Sequence, residues 1–204
     1  MILYSTDYEN NPFQGFKKMQ LVEKQADIKK GGCLLLWGGE DIAPSIYNEK
    51  PNKYVYVKSP SDRDTFEMSL ILHCIKNNIP MIGICRGAQL LCAMAGGKLA
   101  QHIEGHGRSH AVTLHDEGDV EIYCNSSHHQ MMLPPSSAVI LASAKGTTGL
   151  NQHNEAVKHE RVNEVVWFPS INALGIQPHP EWTNCSQDFI DYCNRKIKQY
   201  ILGA

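Results

Sequence analysis

The chain has 204 residues, 19 basic against 21 acidic side chains, a formal net charge of −2 and seven cysteines. That length suits one domain with a full core, and the near-neutral charge excludes a general attraction to nucleic acid or to anionic membranes. An odd number of irregularly spaced cysteines makes no disulfide framework, no apolar run can span a bilayer, and Met1-Ile2-Leu3-Tyr4-Ser5 leads into Thr6-Asp7-Tyr8-Glu9 rather than a signal peptide, so a reducing cytoplasm is expected.

Residues 1–5 read as a short first strand. Residues 16–29 have helical composition and stop at Gly31-Gly32, a C-cap signal, which predicts a helix. Residues 33–37 read as a buried strand, and 64–77 as a helix with Phe66, Leu70, Ile71 and Ile75 as its apolar positions. Met81–Ile84 is the next strand and 89–95 the next helix. The second half turns strand-rich, with strands expected at 111–114, 120–123, 139–144, 162–168 and Ala173–Ile176. An amphipathic helix over 187–201 closes the chain. This alternation predicts an α/β fold with a parallel sheet covered by helices. No repeat, low-complexity linker or boundary interrupts it, so residues 1–204 are expected to form a single domain.

Chemistry concentrates at Gly83-Ile84-Cys85-Arg86-Gly87, which joins a strand to a helix with a thiol at the apex. Flanking glycines permit a sharp turn and leave room around the central side chain, the geometry of a nucleophile elbow. The free N–H groups and positive end of the following helix favour a thiolate. A nucleophilic cysteine needs a base, and the base needs an orienting group. Gln177-Pro178-His179-Pro180-Glu181, which follows the strand at Ala173–Ile176, supplies candidates for both. In an extended segment His179 and Glu181 point to the same side, so the carboxylate can hold one ring nitrogen. Both motifs follow apolar strands, and open α/β sheets gather the carboxyl ends of their strands at one edge.

An amide attacked by a thiolate becomes an oxyanion, which fixed N–H donors stabilise. The backbone N–H of Arg86 and that of Gly39 or Gly38, in Trp37-Gly38-Gly39, are the candidate donors. His128 and His129 invite a metal reading, as do the preceding His102, His106, His110 and His115. However, Gly105, Gly107 and the poor periodicity around them argue against a helix that would align His102 with His106, and no Cys-x-x-Cys accompanies them. Neither a metal nor a cofactor is expected.

These motifs, in this order, resemble a class I glutamine amidotransferase domain over nearly the whole chain. Within that superfamily the chain is most similar to the γ-glutamyl-γ-aminobutyrate hydrolase group, which is peptidase C26-like. Leu34-Leu35-Leu36-Trp37-Gly38-Gly39 resembles the strand and glycine loop of the oxyanion hole, and Asp62-Arg63-Asp64-Thr65-Phe66-Glu67 the start of the helix before the nucleophile strand. Asn125-Ser126-Ser127-His128-His129-Gln130 is the run most specific to the subgroup. The resemblance implies a flavodoxin-like three-layer sandwich, with a mostly parallel central sheet, helices on both faces and a strand-rich second half. It also implies a catalytic triad of Cys85, His179 and Glu181, with Gln89, Ser127, His128, His129 and Gln130 around the γ-glutamyl group.

The expected activity is hydrolysis of γ-glutamyl amides through a γ-glutamyl thioester; the alternative is a glutaminase component that passes ammonia to a separate synthetase. Expected partners are a small γ-glutamyl amide or glutamine, with room for a synthetase or a second copy of the chain, and no nucleic acid or membrane. Three departures from the family pattern stand out: an abbreviated βα unit before Cys33, Trp37 ahead of the glycine pair, and Pro178 before His179 where an aromatic is common. They leave the triad intact and bear on the leaving group.

Overall fold

Three apolar runs, each followed by a turn that carries site residues, become neighbouring parallel strands. The computed structural model describes residues 1–7 and 11–203. Strands β1 (Ile2–Ser5), β2 (Lys18–Leu21) and β3 (Gly32–Leu36) precede helix α1 (Asp62–Asn77), β4 (Met81–Ile84) and α2 (Arg86–Met94). Next come β5 (Lys98–Ala100), β6 (His102–Ile103), β7 (His110–Leu114), β8 (Val120–Cys124) and β9 (Met131–Leu133). The long strands β10 (Val139–Leu150) and β11 (Ala156–Phe168), then β12 (Ala173–Ile176) and α3 (Gln187–Ile197), complete the order.

Ten of these strands form one mixed sheet in the order β2-β1-β3-β4-β12-β11-β10-β7-β8, with β6 alongside β10. The first five are parallel, and the strand-rich second half adds antiparallel neighbours. Register puts Leu36 beside Gly83, and Ile84 beside Ile176. The loops after β3, β4 and β12 therefore emerge together at the carboxyl edge of the sheet, where ligands bind in open α/β sheets.

Alternate residues of the central strands feed two cores. Leu34, Leu36 and Met81 pack with Leu70, Ile71, Leu90 and Leu91 of α1 and α2. Leu35, Ile82 and Leu174 pack on the opposite face with Phe189, Tyr192 and Ile197 of α3. The result is the three-layer α/β arrangement the sequence leads one to expect. Ser61 starts α1 through a capping box: its hydroxyl accepts from the Asp64 N–H, and the Asp64 carboxylate accepts from the Ser61 N–H, each at 3.0 Å. Asn78 ends it in the left-handed conformation.

Residues 16–29 correct the expected helix. Residues Lys18–Leu21 instead form a parallel edge strand against β1, followed by a short 3-10 turn at Gln25–Asp27. Here the unpaired edge of β1 offers hydrogen bonds that outweigh local helix propensity, with Val22 N–H donating to Ser5 O at 2.9 Å. The abbreviated unit before Cys33 thus crosses between β1 and β3 without an α-helix. Two other boundaries differ: β10 and β11 extend well beyond the expected spans of 139–144 and 162–168, and the closing helix passes into a π-helical turn at Lys198–Leu202. Among the described residues no helix is long and apolar enough to cross a membrane.

Candidate active site

Cys85 sits between β4 and α2 with φ 48° and ψ −108°, a conformation that costs a non-glycine residue energy and needs surrounding structure to hold it. Its N–H donates to Ile176 O at 2.8 Å, and its carbonyl accepts from Gln89 N–H at 3.1 Å. The elbow also depends on close backbone approach. A Cβ on Gly83 would lie 2.5 Å from the Gly87 carbonyl, and one on Gly87 would lie 2.5 Å from Leu36 O. Either would push the helix off the sheet.

The segment after β12 brings an imidazole to this thiol. His179 lies beside Cys85 across Gly38, and its Nδ1 donates to Glu181 Oε1, 2.7 Å away. With Nδ1 engaged by the carboxylate, Nε2 is the nitrogen left to exchange a proton with sulfur. Burial disfavours the charged ring, but the hydrogen bonds and negative charge of Cys85 and Glu181 outweigh it and raise the pKa to about 9. Trp182 stacks on the imidazole at 3.9 Å between centroids. Asn125 holds the backbone of His179 from the other side, accepting from its N–H at 3.0 Å and donating to its carbonyl at 2.7 Å.

The glycine loop after β3 completes the surroundings. A Cβ on Gly38 would come within 2.9 Å of His179 Cε1 and 3.4 Å of Cys85 Cβ, so any side chain there would crowd the imidazole. Gly39 follows with φ +143°. A cleft of about 230 Å3 opens over Gly38, Gly39, His179, Glu181 and Trp182.

The side chain of Arg86 points inward rather than toward the cleft. Its guanidinium is 2% exposed and pairs with Asp64, 2.5 Å away, and with Glu67. Arg63 joins the same group, bonding Glu67 at 2.9 Å and donating to Trp37 O at 3.1 Å. The Arg-Asp-x-x-Glu run thus ties the starts of α1 and α2 to the loop after β3. Trp37 is buried in the core with its indole N–H on Ser5 Oγ at 2.7 Å.

The remaining expected residues divide. Gln89 is buried against Gln177 and Gln130, its Nε2 3.3 Å from Gln177 Oε1 and 3.5 Å from Gln130 O. Both polar atoms of the Gln130 side chain and Nε2 of Gln177 are buried and have no hydrogen-bond partner among the described residues. Ser127 is exposed. His129 faces Asp41, 3.1 Å from each carboxylate oxygen, which raises its pKa. His128 is buried, its Nε2 3.5 Å from Glu164 Oε2. Sequence reasoning assigned no role to Asn125, Gln177 or Trp182, although each lies within or beside a motif it singled out.

A buried cysteine coupled to a histidine and a carboxylate, beneath a glycine loop, has the parts for covalent acyl transfer. The family model for Peptidase C26 matches residues 18–181. The chain belongs to this family. The glutamine amidotransferase-like protein YvdE of Lactococcus lactis subsp. lactis is 32% identical over 171 residues, covering 72% of this chain and 71% of that protein. The γ-glutamyl-γ-aminobutyrate hydrolase of Escherichia coli O157:H7 is 24% identical over 205 residues, covering 84% and 75%. A glutamine amidotransferase of Thermotoga maritima shares the fold, with a TM-score of 0.55 at 15% identity over 97% of this chain and 84% of that one. The C26 chain is therefore glutamine amidotransferase-like in both sequence and architecture.

Proposed function

We propose that this C26 protein hydrolyses γ-glutamyl amide bonds through a thioester on Cys85. The observation that supports the reading is the His179 Nδ1–Glu181 contact of 2.7 Å beside Cys85, at the ends of adjacent parallel strands. The Cys85 thiolate attacks the γ-carbonyl carbon, forming a C–S bond as the carbonyl π electrons move to oxygen. Backbone N–H groups of Arg86 and Gly39 receive that oxyanion. Collapse expels the amine, which takes its proton from His179 Nε2. Water then gives a proton to the same nitrogen as it attacks the thioester, and glutamate leaves with the thiolate restored. Glu181 holds Nδ1 and stabilises the imidazolium throughout.

Chemistry at the buried end of the site supports a glutamyl head group. The unpartnered carboxamide atoms of Gln130 and Gln177, beside Gln89, are donors and acceptors that an α-amino and α-carboxylate group can satisfy. Purified protein incubated with γ-glutamyl-amines, γ-glutamyl-amino acids and glutamine should release glutamate from the conjugates, and Cys85→Ala should abolish that release while the chain still folds. Undiminished release by Cys85→Ala would falsify the reading. Turnover confined to glutamine would replace the conjugate hydrolase with a glutaminase.

A further inference from the structure

A second cluster of reactive side chains lies behind the site and takes no part in the proposed chemistry. Glu164, on β11, is wholly buried, and three histidines close around its carboxylate. His110 Nε2 is 2.9 Å from Oε1, His106 Nε2 is 3.9 Å from the same oxygen, and His128 Nε2 is 3.5 Å from Oε2. We propose that His106, His110 and Glu164 bind a divalent transition-metal ion of the zinc class, with His128 beside the carboxylate's other oxygen.

Tautomers make the case. Nδ1 of His106 lies 3.2 Å from Glu104 O, Nδ1 of His110 3.2 Å from Arg108 O, and Nδ1 of His128 2.9 Å from Gln130 O. A carbonyl can only accept, so each Nδ1 carries a proton and each neutral ring presents a bare lone pair at Nε2. All three lone pairs face a carboxylate, which is itself an acceptor, and His110 Nε2 alone also has the Cys124 thiol nearby, at 3.6 Å. His106 Nε2, His128 Nε2 and Glu164 Oε2 are buried and have no hydrogen-bond partner among the described residues. The His128 side chain is only 1% exposed. One proton between His110 and Glu164 meets a single contact and leaves the other two unmet. A cation answers several at once.

Geometry agrees with that ion. One donor atom from each of His106, His110 and Glu164 lies within 4.8 Å of the other two. Ligands about 2.0–2.1 Å from a tetrahedral zinc sit about 3.3–3.4 Å apart, so His110 and Glu164, 2.9 Å apart, open slightly around the ion while His106, 3.9 Å from Glu164, closes in. Histidine ligands fixed by a carbonyl on the opposite nitrogen are the usual second shell of such sites. Imidazole and carboxylate donors suit zinc, cobalt or nickel better than calcium or magnesium. The sequence concealed this group because Glu164 comes from a strand 54 residues beyond His110 and His128 from another loop.

The ion would brace the backbone around the cleft. His106 O accepts from the N–H of His128 at 3.2 Å and from the Ser126 hydroxyl, next to Asn125. Glu164 O accepts from Gln177 N–H at 2.7 Å, two residues before His179.

Chelator-stripped full-length protein should bind one equivalent of zinc or cobalt(II) in a calorimetric titration without substrate, and its melting temperature should rise by several degrees. His106→Ala and Glu164→Gln should each weaken binding at least tenfold, while His153→Ala, at an exposed histidine, leaves it unchanged. Circular dichroism of the stripped variants identifies those that fold. If neither substitution yields a folded chain, wild-type stoichiometry and the melting shift decide. No binding by wild type, no melting shift, unchanged affinity in folded His106→Ala or Glu164→Gln, or loss of binding in His153→Ala overturns the proposal. Because no step reads glutamate release, its failure is separate from that of the hydrolase reading.

Discussion

Asn125 grips the backbone of His179 at both ends, its Oδ1 accepting from the His179 N–H at 3.0 Å and its Nδ2 donating to the His179 carbonyl at 2.7 Å. The two residues lie 54 positions apart, and this amide pair fixes where the imidazole leaves β12. Asn125→Leu preserves approximate volume and removes both bonds. A displacement of about 1 Å can cost about 100-fold in rate, so kcat should fall by that order with KM changed only a few-fold. Steady-state kinetics check this, and a rise in KM at constant kcat would place Asn125 in binding instead.

Proton linkage at His179 gives a pH signature. Its pKa is about 9 in the folded protein, against an ordinary value of 6.5. Folding therefore retains a proton between those values, and the associated stability is complete below pH 6.5 and lost as pH rises through 9. Urea-unfolding free energy should fall across this window by on the order of 3 kcal/mol at most, each pKa unit being worth about 1.4 kcal/mol. The fall should shrink in Cys85→Ala and in Glu181→Gln, since each removes one group that keeps the ring charged. Identical pH profiles in all three proteins would mean that the side chains are uncoupled.

The parallel half of the sheet and the meeting of its motif-bearing loops at one edge were legible because local signals agree there: Leu34 to Leu36 and Met81 to Ile84 are apolar runs ending in glycine turns, and β12 runs straight into the His-Pro-Glu segment. Residues 16–29 misled because an edge strand is specified by its partner, not by its own periodicity. The outer halves of β10 and β11 were hidden for a similar reason. Lys145, Gly146, Thr147 and Gly149 lack an apolar alternation, and pairing with Arg161 to Val157, joined at Gly149 by Ile103, keeps them extended. Asn125 and Glu164 act through contacts across long sequence separations, which no local pattern encodes.

Arg86 should matter to stability more than its position beside the thiol suggests. Its guanidinium and the Asp64 and Glu67 carboxylates are almost wholly buried, so Arg86→Met leaves Asp64 without its ion partner out of water and Glu67 with Arg63 as its remaining cation. Breaking such a group by removing one partner costs about 3–5 kcal/mol. Arg195→Met removes a pair with Glu117 that is largely solvent-facing and should cost about 0–1 kcal/mol. Urea denaturation of the two variants makes the comparison, and equal losses would show that burial is not what sets the cost.

Gly38 offers the sharpest separation of folding from chemistry. Its backbone is not in the left-handed region, so alanine meets no conformational penalty of its own; the added methyl meets the imidazole, 2.9 Å from His179 Cε1. Backbone ties from Asn125 and the stacked Trp182 ring limit how far His179 can retreat. Crowding at a packed position costs about 1–3 kcal/mol, a tolerable loss for a folded domain. A proton transfer between His179 and Cys85, however, depends on their spacing, so Gly38→Ala should lose about 100-fold in kcat while still melting cooperatively. Alkylation of Cys85 by iodoacetamide should slow in parallel, because it reads the same thiolate without needing substrate. Retained alkylation with lost turnover would move the damage from the thiol–imidazole pair to the proposed oxyanion donors at Gly39 and Arg86.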